Sequence, residues 1–341
     1  MSSLIVEVSK IQQVLPHPNA ERLELAQVKG WQCVVPKGRY SAGNLVTYVP
    51  PDTVFPAELS DRLGITKYLS HGRVRCARLR GEPSFGVIFD LENPVWTEGQ
   101  DVAAFYGITK YVPPLRISSG DAERAHPLFV SYTEIENMRN FPAVIADGEE
   151  VVASEKIHGT NCRLGLIDCD GEKTWMAGSK TVRRKMPAEE KLATDLYWHP
   201  YSSPNVRALI ESVAADAKQV ILFGEVYGKV QSLRYGVPGG IAFRAFDLLV
   251  DGNYADYDRF ADLCKQFGVE SAPLIFRGPF SLETIKLLAE GNSAIPGAAN
   301  IREGVVVKPT AERTDPKIGR VVLKYIGDGY LFGNESDTDD V

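Results

Sequence analysis

Lys156 stands where an apolar run, Val151-Val152-Ala153-Ser154, gives way to a polar turn, His158-Gly159-Thr160-Asn161. A strand end fixes a side chain against a sheet and leaves it reachable. A lysine amine held there becomes a nucleophile once neighbouring cations or desolvation remove its proton. Lysine followed three residues later by glycine is frequent by chance, and alone it reads as a surface lysine in a turn. Four later segments alter that weight: Phe223-Gly224-Glu225-Val226-Tyr227-Gly228, Phe243-Arg244-Ala245-Phe246-Asp247, Arg302-Glu303-Gly304-Val305-Val306-Val307-Lys308 and Val321-Val322-Leu323-Lys324-Tyr325. Each sets a charged residue in or beside an apolar strand. Burying one such charge is expensive, so five placements point to a shared polar site.

The elements that must carry these residues read as two groups. The first hundred or so residues hold short β-branched and aromatic runs, such as Ile5–Val8, Leu23–Val28, Gln32–Pro36, Leu45–Val49 and Phe85–Phe89, separated by Gly, Pro and Asn. That spacing predicts a small barrel or sandwich. Tyr111-Val112-Pro113-Pro114-Leu115 and Ser118-Ser119-Gly120-Asp121 break the pattern as a linker. Beyond it strands and helices mix. Asp170-Gly171 predicts a hairpin between Asn161–Ile167 and Lys173–Ala177. Ser203-Pro204 opens a helix through about Ala217, Asp256 caps another ended by Gly268, and Ser281 to Glu290 forms a third. Val220–Tyr227, Ile241–Val250, Gly304–Lys308 and Val321–Tyr325 read as strands. The class is α+β, without the regular alternation of a Rossmann fold. The common glycine-rich phosphate loops are absent.

The 341 residues, 44% hydrophobic and 24% charged, suit two globular domains. The N-terminus has no signal-peptide pattern and no apolar run is long enough to span a bilayer, so a cytoplasmic location without a membrane partner is expected. Five scattered cysteines, no two spaced C-x-x-C, speak against a zinc module and for reduced thiols. The net charge of −6 argues weakly against a nucleic-acid partner. However, residues 1–120 carry 13 Lys and Arg against 11 Asp and Glu, and the acidity lies later, partly in Glu335 to Asp340.

Taken in order, the five segments resemble the nucleotidyltransferase motifs of the covalent ligase and capping-enzyme superfamily. The form Lys156-Ile157-His158-Gly159-Thr160-Asn161, with histidine where DNA ligases and capping enzymes usually carry aspartate, resembles RNA ligases of the phage-T4 RNA ligase 2 type. The resemblance covers roughly residues 125–330. The run Leu15-Pro16-His17-Pro18-Asn19-Ala20-Glu21-Arg22-Leu23 resembles the opening of OB-like tRNA-binding modules. An OB-like domain ahead of a ligase domain is similar to the Deinococcus radiodurans RNA ligase family. The resemblance implies an α+β chain with an N-terminal OB-like β-barrel, followed by an antiparallel-sheet nucleotidyltransferase domain (ATP-grasp-like ligase). The expected divisions are 1–115 for the OB-like nucleic-acid-binding domain, 116–127 for the linker, 128–334 for the adenylyltransferase domain and 335–341 for an acidic tail.

It also implies an ATP-dependent RNA ligase that joins 3′-hydroxyl and 5′-phosphate ends, sealing nicks with RNA 3′ ends in RNA repair, with Mg²⁺ or Mn²⁺ as cofactor. A monomer is expected, and RNA or an RNA-containing duplex is the partner. Lys156 would carry AMP. Glu155 would meet the adenine edge and Glu225 a ribose hydroxyl; Phe243 or Phe246 would stack on adenine. Glu303 would hold the metal. His158, Gly159, Asn161 and Lys180 would shape the phosphate site, and Lys308 and Lys324 would supply cations to it. Two positions depart from the family pattern. Lys324 lacks a second lysine two residues away, and Lys180 stands where relatives commonly have arginine, leaving Lys180, Arg183 and Arg184 to share that role. Arg73, Arg75, Arg78 and Arg80 form a basic run that would either bind a duplex backbone or protect a sheet edge, and Arg183 and Arg184 are further candidates to bind nucleic acid. A DNA ligase or capping enzyme would share the lysine chemistry; a non-catalytic RNA-binding adaptor would have no use for Lys156, Glu225, Glu303 and Lys324 together.

Overall fold

The computed structural model describes residues 5–112 and 121–333, and these fall into two compact units. In the first unit, β1 (Glu7–Pro16), β2 (Leu23–Val28), β3 (Trp31–Pro36), β4 (Leu45–Val49) and β5 (Val87–Phe89) form an antiparallel sheet in the order β3-β2-β1-β4-β5. β1 is far longer than its apolar start predicts, because it serves two partners. Glu7 to Lys10 pair with β4, and Ile11 to Pro16 pair with β2, with a bulge between Ile11 and Gln13. Such an irregularity bends a strand and raises its twist, which curls a sheet toward closure. The outer edges meet: Phe85 N–H donates to Gln32 O (2.7 Å) and Val34 N–H to Ser84 Oγ (3.0 Å). The result is a nearly closed barrel. One end is filled by Val6, Val8, Val49, Phe89, Trp96 and Tyr106.

Two large sheets build the second unit among the described residues. In one, β6 (Glu150–Lys156) lies between β11 (Leu274–Pro279) and β12 (Gly304–Pro309), and β13 (Leu323–Ile326) follows β12. These pairings are antiparallel, while the short strand Glu136–Asn137 joins β13 in parallel. In the other, β7 (Thr160–Cys169), β8 (Glu172–Gly178), β9 (Gln219–Gly228) and β10 (Ile241–Val250) run antiparallel in the order β8-β7-β9-β10. The Asp170-Gly171 turn between β7 and β8 has positive φ at both residues, as the hairpin signal predicts.

Two helices cover one face of this second sheet. α1 (Pro204–Ala214) starts at Ser203, whose hydroxyl accepts from Val206 N–H (3.5 Å), and buries Val206, Leu209 and Ile210. α2 (Tyr257–Phe267) ends at Gly268 in the left-handed conformation. Asp256 does not cap α2 as its position suggests; its Oδ1 accepts from Glu312 N–H (2.7 Å). Leu164, Leu222, Ala245, Leu248 and Phe260 pack with these helices into one core.

Residues 113–120, most of the expected stiff linker, and the expected acidic tail 335–341 lie outside the described residues. The last part of the 116–127 stretch is not a spacer. Lys185 N–H donates to Asp121 O (2.8 Å) and Glu123 N–H to Arg183 O (3.0 Å), so the chain is already part of the second unit there. Among the described residues no helix is long and apolar enough to cross a membrane.

Candidate active site

Lys156 is the last residue of β6, paired across to Gly304, the first residue of β12. Glu303 therefore sits one residue before the ladder begins, beside the lysine. Its carboxylate is wholly buried and ion-paired to the Lys156 amine, with His158 Nδ1 at 3.3 Å from its other oxygen. The lysine side chain remains 18% exposed. An amine, a carboxylate and an imidazole thus converge where two strands start and end. An adjacent carboxylate favours the charged amine. Attack on an electrophile therefore requires that the pair be opened or the proton be handed on.

The turn after Lys156 needs glycine for a specific reason. A Cβ on Gly159 would lie 2.3 Å from Val226 O and 3.0 Å from Glu225 Cγ. The close approach presses the turn onto β9 and brings Glu225 to the site. Across the ladder Asn161 pairs with Glu225, and Glu225 with Arg244. The Arg244 side chain turns to Tyr227 Oη (3.1 Å), Ser271 O (3.0 Å) and Glu270 (3.3 Å).

Strand alternation sorts the two phenylalanines. Glu225 and Phe223 share one face of β9, and Phe246 packs on that side with Tyr132, Ile167, Phe223 and Leu249. Phe243 lies on the other side, against the core under the helices. Glu155 Oε1 and Asn161 Oδ1 are among the side-chain oxygens buried without a hydrogen-bond partner in the described residues. The other Glu155 oxygen accepts from Ala294 N–H (2.7 Å). A buried polar atom left without a partner is costly, and it marks a place where a ligand donor fits.

The lysines separate. Lys324 on β13 pairs with Val306, which in turn pairs with Ser154, two residues before Lys156, so both lysines lie on one face of their sheet. Lys308 lies on that same face but farther along the strand. Its register partner is Val152, four residues from Lys156, or about 13 Å along the strand. Its amine is ion-paired with Asp247 on β10 and lies 3.7 Å from Glu312. Arg320 joins the same group: Nη1 donates to Asp247 Oδ2 (2.8 Å), Nε to Glu312 Oε2 (2.6 Å), and the guanidinium lies 3.5 Å from the Tyr254 ring centroid. Tyr132 Oη donates to Asp247 Oδ2 (2.5 Å). Burial alone would raise the Asp247 carboxyl, but Lys308 and Arg320 outweigh it and hold it below the usual carboxylate range. No motif in the sequence marks Arg320 or gives Asp247 a role. The available signal was an aspartate inside an apolar strand, which demands a cation.

The remaining basic candidates are engaged with neighbours. Lys180 pairs with Glu134 (2.8 Å) and Arg183 with Glu123 (2.7 Å), while the Arg184 guanidinium lies 5.1 Å from the Tyr197 ring centroid. In the first unit Arg73 pairs with Asp52 (2.5 Å) and stacks over Tyr111 (3.8 Å). Arg75 is half-buried, while Arg78 and Arg80 are exposed on a short hairpin. Among the described residues no three His, Cys, Asp or Glu side chains converge as a metal cage. The donor set near Lys156 is carboxylate oxygen, which suits a hard divalent cation that keeps water and phosphate oxygens as its other ligands.

A family model described as RNA ligase matches residues 149–326, and one described as an OB-fold domain matches residues 5–91. Among solved structures, a variant of the Naegleria gruberi RNA ligase with ATP and Mn is 24% identical, with 96% of this chain and 98% of that one covered and a TM-score of 0.73. The same organism's ligase with pyrophosphate gives 23% identity, 96% and 98% coverage and a TM-score of 0.73. An apo variant gives 24%, 97% and 98%, with a TM-score of 0.74. This likeness establishes the fold across both units.

Proposed function

The chain belongs to the RNA ligase family, and we propose that it is an ATP-dependent RNA ligase that works through AMP bound covalently to Lys156. The observation that carries this reading is the partly exposed Lys156 amine at a strand end, facing the buried Glu303 carboxylate and flanked by His158. The Naegleria gruberi structures with ATP and with AMP and Mn support the choice of nucleotide and metal.

In the first step Lys156 Nζ attacks the α-phosphorus of ATP. A nitrogen–phosphorus bond forms, the bond to the bridging oxygen breaks, and pyrophosphate leaves. The lysine must first lose a proton, and Glu303 is the group in position to take it. In the second step an oxygen of the RNA 5′-phosphate attacks the same phosphorus and the lysine leaves. In the third a 3′-hydroxyl attacks the 5′-phosphorus and AMP departs.

Phe246 would stack on the adenine, since it shares a face with Glu225 and Asn161; Phe243 belongs to the core. Glu155 Oε1 and Asn161 Oδ1 would accept from the nucleotide, and Glu225 from a ribose hydroxyl. Lys324 would face the phosphates. Magnesium or manganese, held by Glu303, would neutralise charge on the reacting phosphates. Lys308, on the same sheet face as Lys156 and ion-paired with Asp247, would add its charge to the phosphate side. The OB-fold unit ahead of the ligase unit supports the Deinococcus radiodurans type of RNA ligase, acting on ends that carry 5′-phosphate and 3′-hydroxyl. The exposed Arg78 and Arg80 would meet the nucleic-acid backbone.

The test is to incubate the full chain with ATP labelled at its α-phosphate and Mn²⁺, then separate the products on a denaturing gel. Label should stay on the protein, vanish in Lys156→Ala and be chased by nicked RNA bearing a 5′-phosphate. Label retained by Lys156→Ala would reject the assignment of the nucleophile.

A further inference from the structure

We propose that Tyr235 is a positioning residue for the nucleophile, its hydroxyl holding the backbone turn that follows Lys156 through the amide of His158. The inference rests on the adenylylation reading above. His158 N–H donates to Tyr235 Oη at 2.6 Å, and this amide lies two residues from the reacting amine. The tyrosine ring is 1% exposed. Tyr235 lies between β9 and β10, in a segment that matched no motif.

Its backbone shows that the position is specified. Tyr235 has φ of 51°, a conformation that bulky side chains rarely adopt. Gly236 follows at φ 70°, and a Cβ there would lie 2.2 Å from Gly297 O. The chain is thus turned inward through two left-handed residues and pressed against the loop that leads to Glu303. Strain of this kind persists only where the surroundings over-determine it, and it gathers at functional sites. Here the surroundings are identifiable. Tyr235 N–H donates to Asn300 Oδ1 (3.1 Å), Asn300 Nδ2 donates to Ile301 O (2.9 Å), and the ring meets Tyr227 edge-on at 5.4 Å. The same loop gives Ala294 N–H to Glu155 (2.7 Å).

One hydroxyl therefore ties the Lys156 turn to the loop that positions Glu303. Burial pushes the phenol far up; the His158 N–H opposes this in part, and the Glu303, Glu155 and Glu225 carboxylates add to the rise. The hydroxyl stays protonated and neutral at working pH, so it orients the turn without adding a charge beside the lysine.

Tyr235→Phe removes that oxygen and keeps the ring. The experiment measures three quantities on the full chain: single-turnover transfer of α-labelled AMP to protein across ATP concentrations, sealing of RNA already carrying a 5′-adenylate without ATP, and Tm. The rate constant for AMP transfer should fall roughly 10- to 100-fold, as expected for a displaced reacting group. The KM for ATP should stay within about twofold and sealing of adenylylated RNA within about threefold of wild type, because neither depends on aiming the amine. An unchanged transfer rate, or both steps falling together, overturns the proposal. Asn300→Ser, which loosens the Tyr235 backbone and spares its hydroxyl, provides the second variant should Tyr235→Phe not fold. It should reproduce the same split between the two steps, and equal losses in both again overturn it. Absence of label on the wild-type chain would instead remove the adenylylation reading itself.

Discussion

Lys308, on the strand beside the one that ends in Lys156, is ion-paired with Asp247, the residue next to Phe246 on the other sheet. The pair is almost fully buried, and Arg320 and Tyr132 complete the coordination of the aspartate. Two layers that carry different parts of the site are thereby joined by one carboxylate.

Removing one member of such a group leaves an uncompensated charge. Lys308→Met is expected to destabilise the second unit by about 3–5 kcal/mol. Adding Asp247→Asn to it should recover part of the loss, because the stranded anion is then gone. Urea unfolding of the two single variants and the double variant tests this, and strictly additive losses would contradict it.

The same aspartate sets a pH dependence. Its carboxyl titrates lower in the folded chain than in the unfolded one. Its contribution is then complete above the unfolded value of about 3.9 and is lost as pH falls through the folded value. The Tm gap between wild type and Asp247→Asn should narrow below about pH 4. A gap that stays constant from pH 7 to pH 3 would show that Asp247 is not the group responsible.

Phe246 and Phe243 should part company in kinetics. Phe246→Leu loses the ring on the Glu225 face, and the KM for ATP is expected to rise about 3- to 10-fold, the worth of an aromatic stack. Phe243→Leu alters the core beneath the helices, so it should lower Tm and leave that KM alone. Initial rates of protein labelling against ATP concentration decide between them, and the reverse pattern would exchange their roles.

Gly159→Ala should cost at least about 100-fold in the labelling rate, since the added carbon forces the turn off β9 and moves the lysine with it. Equal labelling by Gly159→Ala and wild type would mean that the turn can relax without consequence.

Glu303→Gln keeps the shape of the site and removes the charge. The Mn²⁺ concentration giving half-maximal labelling should increase by tenfold or more, on the order of one lost charged ligand. A variant with the wild-type metal midpoint would place the cation on other groups.

The motif residues stand out because each sets a charge in or beside an apolar strand: Lys156, Glu225 and Lys324 within theirs, Glu303 one residue ahead of its own. The hairpin at Asp170-Gly171 and the helix ends at Ser203 and Gly268 followed from local turn and capping chemistry. What stayed hidden depends on long-range pairing. The sharing of β1 between two strands is set by closure of the barrel and not by its own residues. The register that carries Lys308 away from Lys156 and toward Asp247 comes from where β6 meets β12. The sequence places Lys308 and Lys324 in equivalent contexts, and only the partner across the gap separates them. Tyr235 escaped because its use lies in one hydroxyl and an unusual backbone angle, neither of which leaves a periodic trace.

Lys156 closes a strand that is bonded on both sides, with β11 reaching Ser154 and β12 reaching Lys156 itself. Its α-carbon is therefore anchored. All travel belongs to the four methylenes of the side chain, which swing like a tethered arm from a fixed post. Nucleotide and RNA end must in turn be delivered within that radius. A shortened arm, such as ornithine in place of the lysine, would sweep a smaller radius with every other contact intact.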